Sequence, residues 1–226
     1  NNFAVKNVSA GYGDKEIIHE ICFEVEPHTL TALIGPNGCG KTTLLKSIVN
    51  LLDYQGECVL HGEKLKELSI RKLARRISYI PQRSGISMSM SVLDVVLMGF
   101  NPVLKLLEHP NRKQRQRAKE AITSVGLEAY MNKDYLTLSE GQKQLVLLAR
   151  TMIEDTDLLI LDEPVRIKEH VDAVELEFKD SMSNRLEKGY ILPGQMRELF
   201  SYKEVLAKIT SRKCVALTSL DLKTGQ

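Results

Sequence analysis

Eight consecutive residues, Gly35-Pro36-Asn37-Gly38-Cys39-Gly40-Lys41-Thr42, set an ammonium and a hydroxyl directly behind a glycine-rich turn. Glycine has no Cβ, so successive backbone N–H groups can turn inward and cradle the β- and γ-phosphate oxygens of a bound nucleotide. Lys41 brings a point charge to the same oxygens, and Thr42 offers a hard oxygen ligand for Mg²⁺. A helical pattern starts at Lys41, with Leu44, Leu45, Ile48 and Val49 on one face, and its positive end points at the anion. The run Leu30-Thr31-Ala32-Leu33-Ile34 just before the turn reads as a buried strand. A chance glycine turn would not be expected to have a strand before it and a helix after it. The turn therefore reads as a nucleoside triphosphate site made by Gly35, Pro36, Asn37, Gly38, Cys39, Gly40, Lys41, Thr42 and Thr43.

A second constellation is Leu159-Ile160-Leu161-Asp162-Glu163, an apolar strand delivering two carboxylates at its carboxyl end. Asp162 would hold Mg²⁺ directly or through water, and Glu163 would polarise the attacking water. Alone, the pair reads better as a cap on a neighbouring helix; the phosphate loop upstream favours the metal reading. A third is Leu138-Ser139-Glu140-Gly141-Gln142 ahead of a helical run. Ser139 and Gly141 at a helix N-terminus make another anion site, with a hydroxyl and free N–H groups.

These groups need a scaffold of strands and helices. Phe3–Val8, Ile21–Val25, Glu57–Leu60, Ile77–Ile80 and Leu158–Leu161 read as strands, with a turn at Gly11–Asp14 and a helix over Ser69–Arg76. From Ser91 to about Ile153 the pattern is mostly helical, with Ala118, Ala121, Ile122 and Val125 on one face. This predicts an α/β core interrupted by a helical insertion, without internal repeats or low-complexity segments. The chain has 226 residues, 43% of them hydrophobic, with a formal net charge of +2. Length and composition suit a globular domain with a full core, and exclude disorder, collagen and disulfide scaffolds. The net charge implies no nucleic-acid partner. The 4 cysteines form no CxxC pair, as expected in a reducing cytosol. Val92–Phe100, the longest apolar run, is interrupted by Asp94 and is too short to cross a bilayer. Asn1–Val5 shows no secretory pattern, so work at a membrane would require a partner.

The order of phosphate loop, Tyr79-Ile80-Pro81-Gln82, LSxGQ and LLILDEP resembles the ATP-binding-cassette (ABC) ATPases. The resemblance implies a P-loop NTPase fold: a RecA-like mixed sheet with flanking helices, an antiparallel β subdomain and an inserted α-helical subdomain. It implies one nucleotide-binding domain over 1–226, with residues 1–85 and about 155–226 as catalytic core and about 86–154 as the helical, signature-bearing part. It implies ATP and Mg²⁺ as ligands, with catalytic roles for Lys41, Gln82 and Glu163. Gln82 matches the glutamine that senses Mg²⁺ and the γ-phosphate, beside Thr42 and Asp162 as metal residues. Tyr12 matches the aromatic that stacks on adenine; the less favoured alternative is a tyrosine packing a turn. Ser139, Gly141 and Gln142 would complete the site of a second copy, so that a homodimer sandwiches ATP. Val95–Pro102, Gly126-Leu127-Glu128 and Leu145–Arg150 resemble the importers of iron–siderophore complexes, haem and cobalamin. The implied partners are integral-membrane permease subunits and, indirectly, an extracytoplasmic binding protein, at the cytoplasmic face of the membrane. The other readings are a soluble ATPase acting on nucleic acid, ribosomes or cluster assembly, and an ATP-binding module with impaired hydrolysis.

The resemblance thins after Pro164. Glu169 stands where a loop aspartate is usual, and no histidine follows His170 to act as the switch residue. Gly189–Leu192 followed by Glu198–Phe200 resembles the family's tail, which would leave the last core strand missing between Pro164 and Gly189. Either residues are lost from the sequence there or the molecule lacks them, and the second case predicts weak hydrolysis. Glu140 replaces the commoner glycine and is expected to face solvent. Cys39 is expected to be alkylated unless ATP covers it; a buried thiol would be inert. Arg112–Arg117 reads as a solvated basic helix face, near lipid headgroups or, less favoured, nucleic acid.

Overall fold

The computed structural model describes residues 3–25, 29–36, 38–82, 84–105 and 107–162, and the backbone of three later strands. Phe3–Tyr12 (β1) and Lys15–Val25 (β2) form a long antiparallel hairpin, β1 also pairing with Tyr54–Leu60 (β4), which pairs with Glu63–Lys64 (β5). Both hairpin strands run longer than the sequence pattern predicts. The register of β1 shifts between Val5 and Val8 and again before Gly11, and Asn7 and Glu20 take positive φ of 48° and 47°. Such bulges insert residues that break the two-residue alternation, so exposed Lys6-Asn7 and His19-Glu20 read as loop.

The second sheet holds Thr29–Pro36 (β3), Ile77–Ile80 (β6), Leu158–Leu161 (β7) and Val215–Leu222 (β10) in the order β3-β10-β7-β6. Its described pairings are all parallel. The expected loss of the last core strand is thereby corrected. Val215–Leu222 fills the slot between the phosphate-loop strand and the acidic strand, with Asp221 in register with Gly35. The strand escaped notice because it lies after the tail-like Gly189–Leu192. Gly189–Ile191 instead belongs to Leu186–Ile191 (β9), which pairs antiparallel with Val174–Lys179 (β8) in a separate ribbon, Leu192 lying outside the described residues. The tail-like Glu198–Phe200, with Glu169 and His170, lies outside the described residues.

Parallel strands need cover on both faces, and β7 receives it from two cores. Leu158 and Ile160 pack with Leu44, Leu45 and Ile48 of Lys41–Ile48 (α1) and the hairpin residues Phe3, Val5 and Ile18. Leu159 and Leu161 pack into the helical cluster of Val92–Leu97 (α3), Arg112–Ser124 (α4) and Glu140–Ile153 (α5). All four β7 side chains are buried, so the strand reads as an unbroken apolar run. Between the sheets, Ile70–Arg76 (α2) leads into β6, and Arg76 pairs with Glu63 and Asp157.

The helices of the insertion start at capping residues written into the sequence. Ser91, Asn111 and Ser139 each accept from the third N–H of their helix, and Asn111 and Ser139 complete capping boxes with Gln114 and Gln142. On α4 the expected apolar stripe is buried, while Arg112, Lys113 and Arg115 are exposed. Arg117 is exposed as well, and its guanidinium also lies 5.5 Å from the Phe100 ring centre and reaches Ile153 O at 3.3 Å. Ile122 is 0% exposed at the centre of this cluster. Ile122→Ala should lower the stability of the chain by about 2–5 kcal/mol, measured as a lower urea midpoint with an unchanged slope.

Candidate functional site

Gly40 opens α1 in the left-handed region, φ 99°, where a Cβ would come within 2.5 Å of Ile18 Cγ2. Both facts demand glycine. The consequence for the helix is chemical. Gly40 supplies no side-chain cap, whereas Ser69, Ser91, Asn111 and Ser139 cap α2 to α5. The N–H of Leu44 is bonded to Gly40 O at 2.9 Å, and the earlier N–H groups of a helix have no carbonyl within it. Among the described α-helices, only this N-terminus lacks a side-chain cap, and its partial positive charge suits an anion.

Lys41 is 4% exposed, and its Nζ donates to Gly35 O at 2.8 Å, with Cys39 Sγ 3.9 Å away. An ammonium this buried carries a large desolvation cost that an anionic ligand would offset. Thr42 Oγ1 donates to Asp162 Oδ1 at 2.9 Å. Residues 120 apart in sequence thereby meet, because β3 and β7 end at the same edge of one parallel sheet. Asp162 is 1% exposed, and its N–H donates to Ile80 O at 2.9 Å. That bond also brings the end of β6, and Gln82 two residues beyond Ile80, to this edge. Thr43 is buried on α1, its carbonyl accepting from Ser47 Oγ.

A hydroxyl, a carboxylate and a nearby carboxamide are hard oxygen donors of the kind Mg²⁺ takes, and the residues therefore fit that ion. Tyr79, which sequence reasoning passed over, also reaches this carboxylate: its OH donates to Asp162 Oδ2 at 3.2 Å. Burial, then the Asp162 charge, pushes the phenol well above its ordinary range, so it stays a donor. The signal was present as a polar-tipped residue on the strand beside the acidic one, in register with Ile160.

Tyr12 lies at the end of β1, half exposed, with Lys46 Nζ of α1 6.0 Å from its ring centre. It borders an open cavity of about 590 Å³ lined by Ser9–Glu16 and Leu52–Gln55, which the phosphate loop does not line. Ser139 and Gln142 are engaged with each other at the start of α5, Ser139 N donating to Gln142 Oε1 at 3.0 Å. Gly141 is exposed, and a Cβ there would meet nothing within 4 Å. Glu140 points to solvent, paired with Lys143 at 2.8 Å. Asn37 and Glu163 lie outside the described residues, and Pro36 contributes the last backbone position of β3.

A glycine turn joining a buried parallel strand to an uncapped helix, with a carboxylate arriving from a second strand, defines the phosphate-loop nucleotide-binding class. Within that class the chain belongs to the ABC transporter family, whose profile matches residues 18–166. It is 37% identical over 163 residues to the zinc transport system ATP-binding protein TroB of Treponema pallidum (strain Nichols), covering 71% of this chain and 59% of that protein. It is 30% identical over 172 residues to the petrobactin import ATP-binding protein FpuD of Bacillus anthracis, covering 76% of this chain and 63% of that one. The chain thus spans about three fifths of the length of these curated relatives. In fold it is similar to the ATP-binding subunit of an ABC transporter, with a TM-score of 0.71 at 20% identity over 97% of this chain and 79% of that one.

The three cysteines among the described residues separate by environment. Cys22 is exposed, Cys39 half-buried beside Lys41, and Cys58 buried, with its thiol pushed up to about 12 by burial. N-ethylmaleimide should label Cys22 with or without ATP and Cys39 only without it, and should leave Cys58 unmodified in the folded chain. Peptide mass mapping reads all three; Cys39 labelled equally in both conditions would remove it from the nucleotide's footprint.

Proposed function

We propose that this chain binds and hydrolyses MgATP as the motor subunit of a membrane importer for a metal ion or metal chelate. The observation that carries the reading is the Thr42–Asp162 contact beside the uncapped N-terminus of α1. It brings a phosphate cradle and a metal-binding oxygen set to one point. In this reading Gly35–Thr43 wrap the β- and γ-phosphates, Lys41 adds its charge, and Tyr12 stacks on the base. Thr42 and Asp162, with Gln82, would hold Mg²⁺, which would supply positive charge to offset that of the phosphoryl oxygens. Glu163 accepts a proton as water attacks the γ-phosphorus and the bond to the β-phosphate oxygen breaks, leaving ADP and phosphate.

Ser139 and Gln142 cap their own helix and Gly141 beside them is exposed, which suits use by a second copy. Gly141 supports this: a helical glycine costs about 0.5–1 kcal/mol relative to alanine, yet nothing within the chain crowds its position. In a homodimer it would let a triphosphate approach the α5 backbone closely. ATP would favour the closed pair because only that state completes both sites.

No described helix is long and apolar enough to cross a membrane, so coupling would pass through separate permease subunits at the cytoplasmic face. Ile70 and Leu107 are each 89% exposed and Val103 half exposed, beside the place where Arg71 and Arg75 bind the Pro102 carbonyl. This apolar surface sits between the core and the helical insertion (about 86–154), where a permease could feel both. The substrate class follows the relatives named for zinc and petrobactin; iron–siderophore, haem and cobalamin complexes remain its members of interest. An extracytoplasmic binding protein would deliver them.

Glu163→Gln should keep MgATP binding and slow single-turnover hydrolysis by about 10²–10⁴-fold; hydrolysis at the wild-type rate would reject the assigned base. Gly141→Ala should leave the isolated chain as stable or slightly more so, by thermal melting. It should also abolish the ATP-dependent dimer of the Glu163→Gln background in light scattering, whereas an intact dimer would reject the sandwich.

A further inference from the structure

Asp162 is the carboxylate on which the metal site turns, and its backbone is fixed: its N–H is bonded to Ile80 O at 2.9 Å. The side chain still has two torsions, of which that of the terminal carboxylate is broad with little intrinsic preference. That rotation decides which oxygen meets Thr42. Thr42 alone does not resist it strongly, because a hydroxyl rotor follows whichever acceptor it is offered.

Tyr79 supplies the second anchor. Its OH lies 3.2 Å from Oδ2 while Thr42 Oγ1 lies 2.9 Å from Oδ1, so the carboxylate is gripped at both oxygens. The tyrosine is itself well placed to grip. It has only two side-chain torsions, and its ring packs against the buried cluster that contains Leu158 and Ile160. Its own carbonyl accepts from Arg150 Nη2 of α5 at 3.4 Å. The phenol cannot compete as a ligand for the hydroxyl of Thr42, since it reaches the opposite oxygen. A carboxylate offers only acceptors, so a donor that stays protonated is the partner it requires.

We propose that Tyr79 is the positioning residue of the metal–nucleotide site, its hydroxyl fixing the Asp162 carboxylate so that Oδ1 remains with Thr42. The inference rests on the reading of this site as one for MgATP. In this assignment Tyr79 acts through Asp162 and is not itself a ligand of the nucleotide or the ion. Its removal therefore weakens the metal more than the nucleotide, which distinguishes it from a residue that merely supports the fold.

The test uses the full chain in molar excess over ATP with Mn²⁺ as probe, following the six-line EPR signal against a protein-free MnATP control, and ATP binding in EDTA by calorimetry. Tyr79→Phe keeps the ring and its packing. It should raise the Kd for Mn²⁺ about 10–100-fold, the usual range for a group that orients a metal's ligand, with metal-free ATP binding unchanged. Incorporating 4-aminophenylalanine at position 79 restores a donor and should recover most of the Mn²⁺ affinity. A Tyr79→Phe chain that binds Mn²⁺ as tightly as wild type overturns the proposal, as does one that loses metal-free ATP binding to the same degree. A wild-type chain that fails to take up Mn²⁺ with ATP would instead overturn the MgATP reading itself.

Discussion

A 2.9 Å hydrogen bond between Thr42 Oγ1 and Asp162 Oδ1 holds together the two halves of the chemistry, and the surrounding fold can be understood as the means of making it. Asp162 is a carboxylate almost wholly removed from water. The cost of burying its oxygens is offset only where donors replace the lost hydration. The donors must come from other strands, because β7 uses its own backbone in the sheet. Thr42 arrives through β3 and the glycine turn, Tyr79 through β6. Both can reach Asp162 only if β3, β6 and β7 run parallel and end at one edge.

That requirement propagates outward. A parallel sheet has two faces to cover, and the two cores do so with different materials. The β1–β2 hairpin and α1 cover Leu158 and Ile160, while the helical cluster covers Leu159 and Leu161. Neighbouring residues of one short strand therefore anchor both halves of the molecule. Any tilt of the helical part acts on the strand that carries Asp162. Arg150 strengthens the connection, since it joins α5 to the carbonyl of the same tyrosine whose hydroxyl meets Asp162.

The two helix N-termini with anion chemistry differ in how they are finished. Gly40 leaves α1 without a side-chain cap and holds a backbone conformation that other residues adopt only under strain. Ser139 and Gln142 close the first turn of α5 on themselves. In the proposed reading the first receives a nucleotide as its ligand. The second is stable without one and presents a bare glycine to solvent, as suits a surface completed by another molecule.

Much of this was legible in the order of residues, because it depends on local chemistry. The glycine turn, the lysine and threonine behind it, the capping serines and asparagine, and the four-residue apolar run ending in carboxylates all act within a few positions of themselves. The hairpin's extent was not legible, since bulges at Asn7 and Glu20 erase the alternation that marks a strand. Nor was the place of Val215–Leu222 between β3 and β7, because a parallel pairing leaves no mark on neighbouring residues. The grip of Tyr79 on Asp162 belongs with these. Sequence alone determined which groups could bind a triphosphate and a hard cation. Only the tertiary structure decided which oxygen of which carboxylate would meet them, because hydrogen bonds are set by positions in space that strands distant in the chain must share.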